Sequence, residues 1–196
     1  MLFVNISSDK VHISDWNKNK YLDRNGIEDT LWRELVSWNK KNSITQIFLL
    51  NWPGWFTNLR VGTLCINLLN KLYSNKIKIY NQTKVDLYKY LFEKWFLPRH
   101  GIIYIWQKNN VRKYDFKLNK YDVVDLKETK KVDNCFYDYV AWDYRLNNKR
   151  MLSFTCKENS IIIKYGWKKI NLYIKDFKIK TSFQVKPNYL INPINN

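Results

Sequence analysis

An apolar run followed by a long apolar helix is the feature that most constrains the fold of this chain. Residues 44–50 form an apolar run between polar residues, the pattern of a strand buried in a parallel sheet. A loop at residues 51–57 follows, and residues 58–73 then carry apolar side chains at helical spacing. A buried strand leading through a short loop into a helix is typical of α/β proteins.

The elements around this pair predict a mixed sheet with helices packed on it. Three short strands are expected before it, at residues 2–7, 11–14 and 21–24. Residues 27–40 have helical spacing, and Asn25 is positioned to cap that helix. The first predicted domain, residues 1–75, therefore has the order β-β-β-α-β-α.

The rest of the chain, residues 76–196, is predicted to be a degenerate, strand-rich second domain. It begins with a strand at residues 76–80 and a helix at residues 85–94. Asn and Lys clusters then separate β-forming runs, which predict strands at residues 102–105, 111–116, 137–141, 160–165 and 170–174.

The chain is strongly basic, with 34 Lys and Arg against 17 Asp and Glu and a formal net charge of +17. Such a charge favours nucleic acid as a partner. However, the lysines are spread along the whole chain, and abundant Lys, Asn, Ile and Tyr are the composition that AT-rich codons produce. The charge therefore locates no site, and a charge-driven RNA-binding module remains an open alternative.

The cysteines and the N-terminus favour a soluble, cytoplasmic protein. Cys65, Cys135 and Cys156 are far apart and odd in number, which argues against a disulfide framework. The first residues lack the pattern of a signal peptide, and no run approaches the roughly 18 apolar residues that a membrane helix needs. No membrane association is expected.

The loop between the buried strand and the long helix carries a family resemblance. Its sequence, Asn-Trp-Pro-Gly-Trp-Phe-Thr-Asn-Leu-Arg-Val-Gly, resembles the TsaB (YeaZ-like) signature Gly-Pro-Gly-Ser-Phe-Thr-Gly-Leu-Arg-Ile-Gly. The opening strand and the late Pro-Asn-Tyr-Leu at residues 187–190 also resemble that family. The signature positions that match are Pro53, Gly54, Phe56, Thr57, Leu59, Arg60 and Gly62.

The resemblance implies an actin-like ATPase (RNase H-like, Gcp-like) fold without catalysis. It implies a scaffold subunit that binds the TsaD-type catalytic subunit and, with a TsaE-type ATPase, supports threonylcarbamoyl transfer to adenosine 37 of tRNA. The chain would contact tRNA through the complex, and a homodimer is possible. Locally, Thr57 is expected to cap the helix, Asn58 to tolerate a positive φ, and Gly62 to let the helix approach the sheet.

The sequence offers no convincing catalytic or metal centre, so no cofactor is expected. Asn5 stands where actin-like ATPases place an acidic residue on the first strand. The two histidines, His12 and His100, are too few for a His-based metal site. Two enzyme readings stay open as alternatives, a stand-alone actin-like enzyme and a nuclease-like carboxylate cluster formed by Asp9, Asp15, Asp23, Glu28 and Asp29.

The long helix is apolar on most of its circumference, which predicts burial on both sides. One stripe, including Leu64 and Leu68, is expected to cover the sheet, and the reverse assignment of the two stripes stays open. The other, including Leu59, Ile66 and Leu69, is covered either by the helix at residues 27–40 or by a partner, and the family resemblance favours the partner. With the neighbouring helix included, the expected partner interface is Leu31, Leu35, Leu59, Ile66, Leu69 and Tyr73.

Tryptophan stands where glycine is expected at several places, including Trp52 and Trp55 in the signature loop. The chain has only 5 Gly but 9 Trp. One hypothesis is that many of these Trp are UGA codons that the source organism reads as Gly. The alternative is that an aromatic-rich chain simply tolerates surface Trp.

Overall fold

The computed structural model describes residues 1–8, 10–15, 17–52, 56–107, 110–125, 135–138, 152–157, 160–176, 179 and 181–186. The chain divides into two compact units, one formed by Met1–Lys84 with Phe177–Asn196 and the other by Val85–Asp176. The boundary expected between residues 75 and 76 falls inside the first of these units.

A six-stranded mixed sheet organises the first unit. Across the sheet the order is β13-β5-β4-β1-β2-β3. Strand β1 pairs antiparallel with β2 and parallel with β4, and β5 continues the parallel part. The strands are β1 (Leu2–Asn5), β2 (Val11–Ser14), β3 (Asn19–Leu22), β4 (Gln46–Leu50), β5 (Lys78–Gln82) and β13 (Thr181–Ser182).

Two helices connect the strands of this sheet, α1 (Ile27–Asn42) before β4 and α2 (Phe56–Leu72) after it. The central strands β1 and β4 are buried because the parallel part of such a sheet is covered on both faces. The fold class is the expected α/β, a mixed sheet with packed helices.

The helix starts differ from those expected. Helix α1 has Gly26 at its N-cap, with a φ of 66°, rather than Asn25. The Thr30 hydroxyl donates to the Gly26 carbonyl at 2.8 Å. Helix α2 already begins at Phe56, so Thr57 lies inside its first turn and does not cap it. Asn58 lies within α2 and is not among the residues with positive φ, so the expected left-handed conformation is not found there.

The second unit contains α3 and two sheets. The strand pairs of these sheets are antiparallel, except for one parallel pair. Helix α3 spans Lys84–Glu93. The four-stranded sheet has the order β8-β7-β6-β9, and the three-stranded sheet has the order β10-β11-β12. The strands are β6 (His100–Gln107), β7 (Asn110–Asp115), β8 (Lys120–Asp125), β9 (Cys135–Tyr137), β10 (Leu152–Lys157), β11 (Ser160–Tyr165) and β12 (Lys168–Tyr173).

Aromatic rings form the core of the second unit. The Phe136 ring stacks on Phe116 with a centroid distance of 5.8 Å and meets Tyr88 edge-on at 5.0 Å. Phe136 also lies over Gly101, where a Cβ atom would be 2.5 Å from its ring. This packing ties α3 to strands β6 and β9.

Candidate protein-binding face on the second helix

The segment with the family resemblance joins β4 to α2. Thr57 and Arg60 are exposed on α2, whereas Leu59 is buried. Pro53 and Gly54 lie outside the described residues, as do the side chain of Phe56 and residues 187–190. Trp52, just after β4, has a φ of 78°.

Gly62 brings α2 against the sheet, as the sequence predicts. A Cβ atom at this position would lie 2.4 Å from Cγ2 of Ile6, the residue that follows β1. Ile6 is fully buried and branched at Cβ, so it has little freedom to move away. The absence of a side chain at Gly62 therefore sets how closely this turn of α2 approaches β1.

Asn5 uses its side-chain amide inside the chain. Its Oδ1 accepts from the Ser7 amide at 2.9 Å and from the Ser7 hydroxyl at 2.7 Å. Its Nδ2 donates to the Ser8 hydroxyl at 3.0 Å. The Nδ2 of buried Asn58 in turn donates to the Ser8 carbonyl at 2.9 Å. This network connects the end of β1 to the start of α2.

The two apolar stripes of α2 have the opposite orientation to the one expected. Leu59, Ile66 and Leu69 are buried within the chain, as are Leu31 and Leu35 on α1. These five residues therefore do not form an exposed partner face, and the prediction that they do is wrong. Of the expected interface residues, Tyr73 is exposed.

The exposed stripe of α2 consists of leucines one helical turn apart. The exposed fractions are 58% for Leu64, 44% for Leu68 and 66% for Leu72. The spacing of four residues aligns these side chains along one face of the helix. We call Leu64, Leu68 and Leu72 the leucine stripe.

A signal in the sequence could have assigned the two stripes correctly. Gly62 is three residues after Leu59 and four before Ile66, so these positions share one helix face. The sequence places Gly62 against the sheet, and that placement predicts the same orientation for Leu59, Ile66 and Leu69. The leucine stripe then has to point away from the sheet.

The C-terminal segment occupies another side of α2. The Asn67 side chain exchanges two hydrogen bonds of 2.8 Å with the backbone of Val185. The Nδ2 of Asn70 donates to the Phe183 carbonyl at 2.8 Å and to the Ile77 carbonyl at 3.1 Å. These bonds hold α2 in one rotation about its axis and leave the leucine stripe exposed.

The two histidines have structural contacts. The His12 ring stacks on Tyr21 with centroids 4.3 Å apart, and its Nε2 lies 3.1 Å from Oδ1 of Asn19. Burial lowers the pKa of His12, so its neutral form is favoured. The Nε2 of His100 is 3.4 Å from Asp115, a carboxylate that is itself held by Arg99.

Of the carboxylates considered as a nuclease-like cluster, Asp15, Asp23 and Asp29 make separate local contacts. Asp15 closes a turn by accepting from the backbone amides of residues 17 and 18, each at 2.7 Å. Asp23 pairs with Lys10, and Asp29 pairs with Arg33 one turn along α1. Asp9 lies outside the described residues. Within the described ranges, no three His, Cys, Asp or Glu side chains are grouped so that they could hold a metal ion.

No helix in the described part of the chain combines the length and apolar character needed to span a membrane. Burial raises the pKa of the Cys65 thiol to about 11, so this α2 side chain stays protonated and behaves as a small apolar residue.

Comparison with known proteins gives structural similarities only. No protein-family model matches the sequence, and the search of curated proteins gives no match. YeaZ from Pseudomonas aeruginosa is similar in structure, with 14% sequence identity over 74% of this chain and 72% of that chain and a TM-score of 0.42. An uncharacterized protein with similarity to peptidase YEAZ from Pseudomonas aeruginosa is similar at 14% identity, over 75% and 72% of the two chains, with a TM-score of 0.41.

Proposed function

We propose that this chain is a non-catalytic scaffold subunit of the TsaB type. It binds and activates a TsaD-type catalytic subunit for threonylcarbamoyl transfer to adenosine 37 of tRNA, and a TsaE-type ATPase completes the cytoplasmic assembly. The signature-loop positions Thr57, Leu59, Arg60 and Gly62 support the proposal from the sequence. The contact of Gly62 with the sheet supports it from the structure.

The observation that carries the proposal is the leucine stripe. Single exposed leucines are ordinary on protein surfaces, but aligned ones on consecutive turns form a continuous apolar surface. Burying a fully exposed leucine side chain contributes roughly 1.5–3 kcal/mol, so covering these partly exposed leucines by a partner contributes a fraction of that each and is favourable. Tyr73, just after α2, is also exposed, but it lies four residues after Leu69 and therefore on another side of the helix from the leucine stripe.

Arg60 and Lys71 accompany the stripe on the exposed part of α2. Polar and charged side chains around an apolar centre are the usual composition of a protein interface. The partner face opposite α2 is therefore expected to be apolar at its centre and acidic towards the ends of the helix. A second copy of this chain could cover the stripe but would bring its own cations together.

Co-purification tests the proposal. The chain, carrying an affinity tag, is produced together with the TsaD-type protein of the same genome, and the eluate is separated by gel filtration. We expect both proteins in one peak, and the isolated chain should elute later. A folded chain that elutes alone in the presence of the TsaD-type protein would contradict the proposal. Self-association of the isolated chain, lost when the leucine stripe is changed, would instead assign this face to a homodimer.

A further inference from the structure

The three-stranded sheet of the second unit has one apolar and one basic face. Ile161, Ile163 and Leu172 are buried on one side. The residues between them point to the other side, because successive side chains of a strand alternate. On β11 and β12 this outer face carries Ile162, Lys164, Lys169, Asn171 and Tyr173. Lys164, Lys169, Asn171 and Tyr173 are exposed.

Two lysines face each other directly on this outer face, one cross-strand pair before the β11–β12 turn. Lys164 on β11 is the cross-strand partner of Lys169 on β12. Directly opposed side chains have Cβ atoms about 4.5–5.5 Å apart, and like charges in such positions destabilise the strand pair. The sequences of β10, β11 and β12 contain no Asp or Glu that could compensate them. Among the described residues, neither lysine has an ion pair.

An aromatic ring with hydrogen-bonding neighbours lies four residues after Lys169, at the far end of β12. Tyr173 is exposed, and its hydroxyl accepts from Nδ2 of Asn171 at 3.3 Å. The Lys175 ammonium group lies 5.7 Å from the centre of the Tyr173 ring. At the other end of the strand pair, Trp167 is 91% exposed in the β11–β12 turn.

We infer that the outer face of the β10–β11–β12 sheet is an RNA-binding surface. Lys164 and Lys169 bind backbone phosphate together, which turns a repulsive pair into a two-point contact with an anion. Tyr173 offers a ring on which an unpaired base stacks, and Asn171 and Lys175 lie beside it. Exposed aromatics and cations on an open sheet are a common way to bind single-stranded RNA.

The choice of RNA among polyanions rests on the proposed function, in which the substrate is a tRNA. Asn171 and Tyr173 lie on the outer face of β12 at increasing distance from the β11–β12 turn, so a nucleic acid strand that runs along β12 can contact the lysine pair, Asn171 and Tyr173 in turn. An anionic membrane would instead be met through Trp167 at the turn, and the test below separates these two cases.

Fluorescence anisotropy with an unmodified tRNA transcript tests the inference over a series of salt concentrations. The variant K164E/K169E should weaken binding, and its slope of log K against log salt should fall by about 2, since each lost phosphate contact lowers it by about 1. The matched control is K41E/K78E, which makes the same change of net charge at exposed lysines on α1 and β5. The control should change the slope much less. Equal losses in both variants would overturn the inference and leave only diffuse charge.

Two further variants keep the test independent of folding and of the protein partner. Lys169→Glu alone creates an opposite-charge pair with Lys164, so its melting temperature should not fall while RNA binding weakens. Tyr173→Ala should weaken binding without changing the salt slope. Variants that bind tRNA like the wild type while losing affinity for anionic phosphatidylserine vesicles would overturn the inference in favour of a membrane surface. K164E/K169E should still co-purify with the TsaD-type protein, so failure here is distinguishable from failure of the proposed function.

Discussion

Gly62 and Ile6 are in a contact that leaves no room for even one additional carbon atom, since a Cβ at Gly62 would lie 2.4 Å from Cγ2 of Ile6. Gly62→Ala should therefore destabilise the protein by about 1–3 kcal/mol, because overpacking outweighs the better helix propensity of alanine. Urea unfolding measures the effect.

A double-mutant cycle identifies the cause of that loss. In an Ile6→Ala background the Cγ2 and Cδ1 contacts are removed and only the Cβ contact at 2.9 Å remains, so adding Gly62→Ala should cost much less than it does in the wild type. Thr57→Ala, on the exposed side of the same helix, is the control and should stay within about 0.5 kcal/mol of the wild type. A Gly62→Ala protein as stable as the wild type would contradict the close approach of α2 to β1.

The two stripes of α2 should respond oppositely to a charge. Leu64→Asp and Leu68→Asp should leave the isolated protein folded, because both side chains are exposed, but should abolish co-elution with the TsaD-type protein. The new carboxylate would be buried without a partner in the complex. Ile66→Asp and Leu69→Asp should unfold the chain itself, since both side chains are fully buried.

Circular dichroism of each variant, followed by gel filtration with the TsaD-type protein, gives both readouts. If all four variants unfold alike, the leucine stripe is covered within the chain. If Leu64→Asp and Leu68→Asp stay folded and still co-elute, the leucine stripe is not the interface.

Trp95 occupies a position that ordinarily requires glycine. It follows α3 with a φ of 57° and is 89% exposed. Its amide donates to Phe92 at 2.8 Å, and the Phe96 amide donates to Leu91 at 2.9 Å, which is the glycine-ended Schellman motif. Trp95→Gly should therefore stabilise the protein by about 1 kcal/mol, as it relieves left-handed strain at little packing cost. Trp38 is buried inside α1, so Trp38→Gly should instead strongly destabilise the protein. Urea unfolding measures both changes.

The same observation sharpens the hypothesis that some Trp codons are read as Gly. Positive φ is an outlier for a bulky residue, and it occurs at both Trp52 and Trp95. We therefore expect UGA codons at these two positions, and glycine at residue 95 in the peptide 95–99 of the protein isolated from its source organism. UGG at every Trp codon would end the hypothesis. Trp38 lies inside α1, which continues to Asn42, and not just after a helix end where glycine is common, so that position gives the hypothesis no support.

Asp115 and Arg99 should make stability depend on pH in the acid range. Hydrogen bonds from Arg99, with Nε at 2.9 Å, hold the pKa of Asp115 well below its ordinary value of 3.8. A lowered folded pKa means that the carboxylate adds stability above that ordinary value and loses it as the pH falls. Asp115→Asn should therefore lower the melting temperature near neutral pH, and the difference from wild type should shrink in acid. A difference that does not change with pH would contradict this assignment.

The isolated chain should not bind Mg-ATP appreciably. Asn5 supplies no carboxylate at the end of β1, and its amide oxygen is already used by Ser7. Isothermal titration calorimetry measures the binding directly. Micromolar affinity would favour the stand-alone enzyme over the scaffold.

Periodicity identified the elements whose burial alternates strongly. The strand at residues 160–165 has the predicted bounds, because buried Ile161 and Ile163 alternate with less buried neighbours. Strands β8 and β10 were not predicted, and β8 is a largely exposed run of mixed charge that pairs with β7. Strand β13 is too short for any pattern and is defined only by its pairing with β5.

The sequence by itself determined that α2 is a helix, that it is apolar on two sides, and that Gly62 must face something close. The helical period alone did not determine which apolar side faces the sheet, because both stripes satisfy it equally well, and in the sequence only the position of Gly62 distinguishes them. Tertiary structure decided this through contacts distant in sequence. Ile6 meets Gly62, and Phe183 and Val185 bond to Asn70 and Asn67 from more than a hundred residues away. These contacts select one rotation of the helix, bury Leu59, Ile66 and Leu69, and leave the leucine stripe exposed.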